Sequence, residues 1–334
     1  MDGPPILVDH LLKKYGRLIA VKHLSFKAGE GEILGILGPN GAGKTTTLRA
    51  IAGALKPTMG RVLVYGMNSY KESSRVKRII GVMPEVPSLF PELTVRENLE
   101  FLGKVYGLSR LEARKAAEQT IDLMGLTDYV EVRYGHLSKG LKRRADMSGA
   151  LVHDPRIIVL DEPTAGLDVF SASRLRSIIR ELMKTGKTII ISSHYIDEIM
   201  ELSKRVVILY KGTKVYEGEP RRLRDILDLG KRVKVVFDRE LDESFWSALK
   251  DKISSYIDDT LLFTGDYLEV YTKDPLHLLD VLKESLEGNG YSIVDIDILP
   301  PSWEDVFKRY MIEARDPTGF TFKSEGKPCS CGAG

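Results

Sequence analysis

Gly38-Pro39-Asn40-Gly41-Ala42-Gly43-Lys44-Thr45-Thr46 follows an apolar run, Glu32–Leu37, and leads into a helical pattern over Lys44–Leu55. The spacing fits G-x-x-x-x-G-K-[ST], in which glycines let backbone N–H groups turn inward around phosphate oxygens without a Cβ in the way. Lys44 brings a point charge to the β- and γ-phosphates of a nucleotide, and the Thr45 hydroxyl can ligate Mg²⁺. The helix adds the positive end of its dipole. A glycine-rich turn before a helix is the plain alternative, and the strand before it and helix after it argue against that.

Ile157-Ile158-Val159-Leu160-Asp161-Glu162 reads as a buried strand ending in two carboxylates. At a strand's C-terminal end, beside a phosphate loop, a nucleotide's Mg²⁺ needs a second protein anchor, and Asp161 takes that role. Glu162 should point differently, because adjacent strand residues alternate faces, and it is placed to polarise an attacking water as general base. Taken alone, an Asp-Glu pair is more often a solvated strand end.

Other short β-branched runs, such as Thr188–Ser193, are each followed by turn residues and then by helical patterns over Leu111–Met124, Lys139–His153 and Ala172–Thr185. This alternation predicts an α/β domain with a buried parallel sheet over residues 1–218, with a helical subdomain at about 86–153. Residues 219–230 read as a connecting helix. From Val233 the pattern changes to β-α-β-β-α-β, with Gly265-Asp266 suited to a hairpin, which suggests a small α+β, ferredoxin-like unit over 231–314. Ser302 would cap a last helix, Trp303–Ala314. Residues 315–334 read as a disordered tail, and Cys329-Ser330-Cys331 there as incidental thiols, since two cannot fill a tetrahedral Zn²⁺ site.

Composition narrows the setting. With 49 Lys+Arg against 47 Asp+Glu the net charge is +2, which gives no broad electrostatic case for nucleic acid. No run nears the ~18 apolar residues of a spanning helix, and the first residues lack a secretory plan. The only two cysteines lie in the tail, so no disulfide framework is expected in the body, as suits a reducing cytosol.

Between the two phosphate-site motifs lies Leu137-Ser138-Lys139-Gly140-Leu141-Lys142-Arg143-Arg144. With it, residues 5–218 resemble the nucleotide-binding subunit of an ATP-binding cassette (ABC) transporter, whose hallmark is an LSGGQ-type segment shortly before the second acidic motif. The resemblance implies a P-loop ATPase fold and ATP with Mg²⁺ as its ligands. It implies nucleotide contacts from Gly38, Asn40, Gly41, Gly43, Lys44, Thr45 and Thr46. Ser138 and Gly140, at a helix start, would close over the γ-phosphate held by a second copy or a related ATPase subunit, giving two composite sites. The plain alternative is a capped helix with Lys142, Arg143 and Arg144 on its solvated face. Tyr15 matches the aromatic that stacks on adenine. Asp168 ends the Ala165–Asp168 loop that touches the partner's phosphate site, and His194 matches the switch histidine that senses the γ-phosphate.

Two departures stand out. Glu85 occupies the place of a family Gln, where it can still ligate Mg²⁺ or orient water but adds negative charge beside phosphates. Lys139 and Leu141 replace the first Gly and the Gln of the LSGGQ-type segment, while Ser138 and Gly140 remain. A soluble ABC-type ATPase acting on nucleic acid or ribosomes is the alternative. Ser138 follows Lys44 by only 94 positions, too few for the long insertions of DNA-repair relatives, and one cassette is present rather than two. Pro84-Glu85, Phe90–Leu99 and Pro301–Phe307 are similar to the antibiotic- and sodium-exporter type, so export is expected over import. An integral membrane permease on a separate chain is then implied. The expected location is the cytoplasmic face of the cell membrane.

Overall fold

Strands with no polar face must be covered on both sides, and Ile33–Leu37 and Ile157–Asp161 are buried at every position. The computed structural model describes residues 3–227, 230–258 and 261–313. The expected disordered tail over 315–334, with Cys329 and Cys331, therefore lies outside the described residues. The chain divides into two units, one ending at Pro220 and one starting at Arg221.

In the first unit the order is β1 (Ile6–Tyr15), β2 (Leu18–Ala28), β3 (Ile33–Leu37), α1 (Lys44–Ile51), β4 (Met59–Val64), β5 (Met67–Asn68), α2 (Ser73–Val76) and β6 (Ile80–Met83). It continues through α3 (Val95–Val105), α4 (Arg110–Leu123), α5 (Lys139–Leu151), β7 (Ile157–Asp161), α6 (Val169–Lys184), β8 (Thr188–Ser193), α7 (Ile196–Leu202), β9 (Arg205–Tyr210) and β10 (Thr213–Gly218). Thr94 and Ser109 open α3 and α4 with reciprocal capping boxes to Glu97 and Glu112. Helix α6 starts three residues before the expected Ala172 because Asp168 caps it, accepting from the Ser171 N–H at 2.9 Å.

The main sheet runs β10-β9-β3-β8-β7-β6, parallel except for β10. Its register pairs Leu37 with Ser193, Asp161 with Ser192 and Met83 with Leu160. The segments after β3, β6, β7 and β8 therefore leave the sheet along one edge, and such an edge is where open α/β sheets hold ligands.

A second sheet, β2-β1-β4-β5, is antiparallel and was not expected from the sequence. It packs into the same core, with Leu48 and Ile51 of α1 among the buried residues. In β1 the buried positions switch parity, from Ile6 and Val8 to Leu11, at His10, whose φ is 49°. In β2 they switch from Val21 to Leu24, Phe26 and Ala28 at His23, φ 46°. Each switch coincides with a shift in the β1–β2 register and breaks the alternation that marks a half-buried strand.

In the second unit β11 (Lys231–Phe237), α9 (Glu243–Ile253), β12 (Leu261–Phe263), β13 (Tyr267–Thr272), α10 (Pro275–Glu287), β14 (Ile293–Leu299) and α11 (Trp303–Glu313) follow a short helix α8 (Pro220–Leu227). The sheet order β12-β13-β11-β14 and the β-α-β-β-α-β sequence give the expected ferredoxin-like plan. Val233, Val235 and Phe237 pack with Leu249, Ile253, Leu278 and Leu282 from the two helices. The turn between β12 and β13 places Gly265 at φ 82°, as the hairpin expectation requires. Ser302 caps α11 by accepting from the Asp305 N–H at 3.2 Å, and Tyr271 donates to the Asp305 carboxylate.

Candidate active site

The phosphate loop can pass this close to its neighbours only with glycine at set points. A Cβ on Gly38 would stand 2.4 Å from the Leu209 carbonyl oxygen. Gly43 caps α1 at φ 103°, and a Cβ there would meet the Ala20 carbonyl at 2.6 Å. The first N–H groups of a helix have no partner further back in it, which makes the start of α1 a suitable anion site.

Lys44 is only 7% exposed. Its Nζ donates to the Gly38 carbonyl at 2.7 Å and lies 3.4 Å from both the Pro39 carbonyl and Glu162 Oε1. The loop's own carbonyls hold the ammonium at the place where a phosphate would compete for it.

Glu162 lies just beyond β7, not within it. Its φ of 49° is left-handed, which costs a non-glycine residue on the order of 1–3 kcal/mol. This backbone turn, rather than the strand alternation expected from the sequence, separates its side chain from that of Asp161. The turn is held in place: the Glu162 N–H donates to the Ser192 carbonyl at 3.1 Å, and its Oε2 accepts the His194 N–H at 3.2 Å. His194 Nδ1 stands 2.7 Å from the same oxygen. Lys44, Glu162 and His194 are brought together from three strand ends.

Asp161 Oδ1 accepts from the Thr45 hydroxyl at 3.3 Å and from the Ser192 hydroxyl at 2.6 Å. A hydroxyl and a carboxylate converging at a strand end form an oxygen donor set of the kind Mg²⁺ prefers. Among the described residues no group of three or more His, Cys, Asp or Glu side chains could hold a metal. The protein's share of such a site would be Thr45 and Asp161, leaving room for phosphate and water. Glu85 is exposed two residues after the end of β6, the strand whose neighbour β7 ends at Asp161.

Ser138 is the exposed N-cap of α5, its hydroxyl accepting the Leu141 N–H at 3.4 Å. Gly140 lies against Ser171, where a Cβ would come within 2.6 Å of the hydroxyl. Lys139 reaches the loop before α6, for a Cβ on Gly166 would be 2.1 Å from its Nζ. The Ser171 N–H and hydroxyl both donate to Asp168 and hold its carboxyl below the usual range. Tyr15, 44% exposed, ends β1 at the hairpin into β2, the strand whose Ala20 and Val21 touch Gly43.

Several buried polar residues of this region were not singled out from the sequence. Arg143 is buried, contrary to a solvated face: it donates to the Pro84 and Glu162 carbonyls, each at 3.0 Å. Asp146 accepts from the Tyr134 hydroxyl at 3.0 Å, and burial pushes its carboxyl up to about 6. Glu198 on α7 accepts from Thr164 at 2.7 Å and Ser193 at 3.0 Å, linking the loop after Glu162 to the strand end before His194. Burial raises its carboxyl as well. Only the helical period of Asp146 relative to Ala150 and of Glu198 relative to Leu202 could have marked them as inward-facing.

The ABC transporter family profile matches residues 21–165. The chain is 35% identical over 310 residues to a Nod factor export ATP-binding protein I of Burkholderia orbicola (strain AU 1054), covering 92% of this chain and 97% of that relative. It is 39% identical over 210 residues to the linearmycin resistance ATP-binding protein LnrL of Bacillus subtilis (strain 168), covering 63% and 68%. A solved dimeric ATP-binding cassette in a post-hydrolysis state with ADP and Pi superposes with TM-score 0.60 at 28% identity, over 65% of this chain and 99% of that one. A strand-fed phosphate loop and an acidic strand end on one sheet edge define a P-loop ATPase. The chain belongs to the ATP-binding subunits of ABC transporters and is an ATPase.

Proposed function

We propose that this chain drives export, working as a dimer beneath a separate membrane-spanning permease. The observation that carries this is the near-full-length likeness to a Nod factor export ATP-binding protein, second unit included. Among the described residues no helix is long and apolar enough to cross a membrane, so a permease would have to supply the path. The peripheral location at the inner membrane face follows from that partner.

In this reading ATP enters with Tyr15 against its base and its phosphates along the loop from Gly38 to Thr46. Lys44 exchanges the Gly38 carbonyl for phosphate oxygens, a stronger, charge-assisted partner. Thr45, Asp161 and Glu85 would hold Mg²⁺, which would neutralise phosphate charge. Glu162 accepts a proton from the attacking water while His194 fixes its outer oxygen. Ser138, Gly140 and the Asp168 loop complete the site of the second subunit, as the exposure of Ser138 at a helix start allows.

The test is to isolate the chain from detergent-solubilised membranes. A stoichiometric membrane-spanning protein that raises ATP turnover when both are placed in vesicles supports the proposal. Recovery on ribosomes or nucleic acid, with no such protein, contradicts it.

A further inference from the structure

We propose that Arg143 is a positioning residue for hydrolysis: anchored on α5, it holds the backbone of Glu162 and the loop entered at Pro84 as one unit. The inference rests on Glu162 being the base, as proposed above.

A guanidinium has five N–H donors and is costly to bury without partners. Arg143 is 4% exposed, and among the described residues no carboxylate lies within ion-pair distance of it. Its partners are instead two main-chain carbonyls, Pro84 through one nitrogen and Glu162 through another, each at 3.0 Å. Those carbonyls leave neighbouring strands, β6 and β7, at the ligand edge of the sheet. One belongs to the residue before Glu85 and the other to the proposed base itself.

Both peptide groups of Glu162 are therefore fastened. Its N–H goes to Ser192 on β8, and its carbonyl goes to α5. A left-handed residue keeps its angle only while its surroundings over-determine it, so loss of either hold frees the carboxylate to move away from Lys44 and His194. One turn further along α5, Asp146 accepts the Ser88 N–H at 3.5 Å and both its oxygens face the Tyr134 hydroxyl. The loop after β6 is thus held by α5 at two points. Helix α5 begins at Ser138 and Gly140, so displacement of that end is carried along the helix to the Glu162 backbone.

Arg144 is the natural control. It sits next along the helix and uses the same chemistry, donating to the Met124 and Gly125 carbonyls at 3.0 Å, at the far end of α4.

The experiment compares ATP hydrolysis and hydrogen–deuterium exchange of the purified full chain with those of Arg143→Gln, Arg143→Lys, Arg144→Gln and Glu162→Gln. Arg143→Gln is expected to lower kcat at least tenfold with KM for ATP within threefold, and to speed exchange at residues 84–90 and 162–167. Arg143→Lys should recover part of kcat, and Arg144→Gln should keep kcat within twofold. A kcat within twofold in Arg143→Gln while Glu162→Gln is inactive overturns the inference. So does an equal fall of kcat in the two Gln variants of Arg143 and Arg144, which would show a merely structural role. Turnover retained in Glu162→Gln removes the base assignment itself, and the inference with it.

Discussion

Glu162 Oε2 takes the backbone N–H of His194 at 3.2 Å and faces that residue's Nδ1 at 2.7 Å, while Oε1 lies 3.4 Å from Lys44 Nζ. One carboxylate thus joins the ends of three parallel strands. Its outer oxygen is fixed by β8, and its other oxygen is held against the phosphate loop.

His194→Ala removes the ring contact but keeps the backbone donor. We expect kcat for ATP to fall by roughly 10²-fold, in the range of a mispositioned general base, with little change in nucleotide affinity. Steady-state kinetics beside equilibrium binding of a fluorescent ATP analogue checks this.

Lys44→Ala should act on both. Loss of a charge-assisted contact worth about 1.5–3 kcal/mol weakens nucleotide binding by roughly 10- to 100-fold and brings hydrolysis to background. Wild-type turnover in this variant would remove the phosphate loop from the site.

Asp146 predicts a pH signature in stability. Its folded carboxyl holds the proton more tightly, with a pKa of about 6 against an ordinary 3.8. The folded state is therefore favoured in acid, and this contribution is lost as pH rises from about 4 to about 6, with no further change above. Asp146→Asn keeps an acceptor for Tyr134 but cannot titrate. Urea unfolding at pH 4.5 and 7.5 should show the wild type losing on the order of 2 kcal/mol more than the variant across that interval.

Gly81 lies where β6 passes α5, and a Cβ there would stand 2.0 Å from the Ala150 carbonyl oxygen and 2.8 Å from Pro155 Cγ. Backbone cannot yield as a flexible side chain does. Gly81→Ala should cost about 3 kcal/mol and lower Tm by several degrees, read by calorimetry.

What was legible in the sequence is what physics repeats locally. Ile33–Leu37, Ile157–Asp161 and Thr188–Ser193 are buried on both faces and read as plain apolar runs. Lys44, Thr45, Asp161 and Glu162 are marked by their position at the ends of such runs, His194 only by the family resemblance, and the structure places all five on one edge. The antiparallel sheet was illegible because the turns at His10 and His23 reverse the alternation midway along β1 and β2. Arg143 was illegible for a different reason: within Lys142-Arg143-Arg144 its charge reads as solvent-facing, and its partners are carbonyls distant in sequence, which carry no side-chain signal. The turn of Glu162 is a backbone property that no residue type there announces.

Glu162 is proposed to activate water in a site completed by a second subunit. Glu162→Gln keeps the size of the side chain and removes the base, so with saturating ATP and Mg²⁺ it should hydrolyse nothing and accumulate as a stable dimer. Light scattering on a size-exclusion column measures both species in one run. A mass near twice the 37.4 kDa of the chain is the expected result, and a monomer that still turns over ATP would contradict both the base assignment and the shared site.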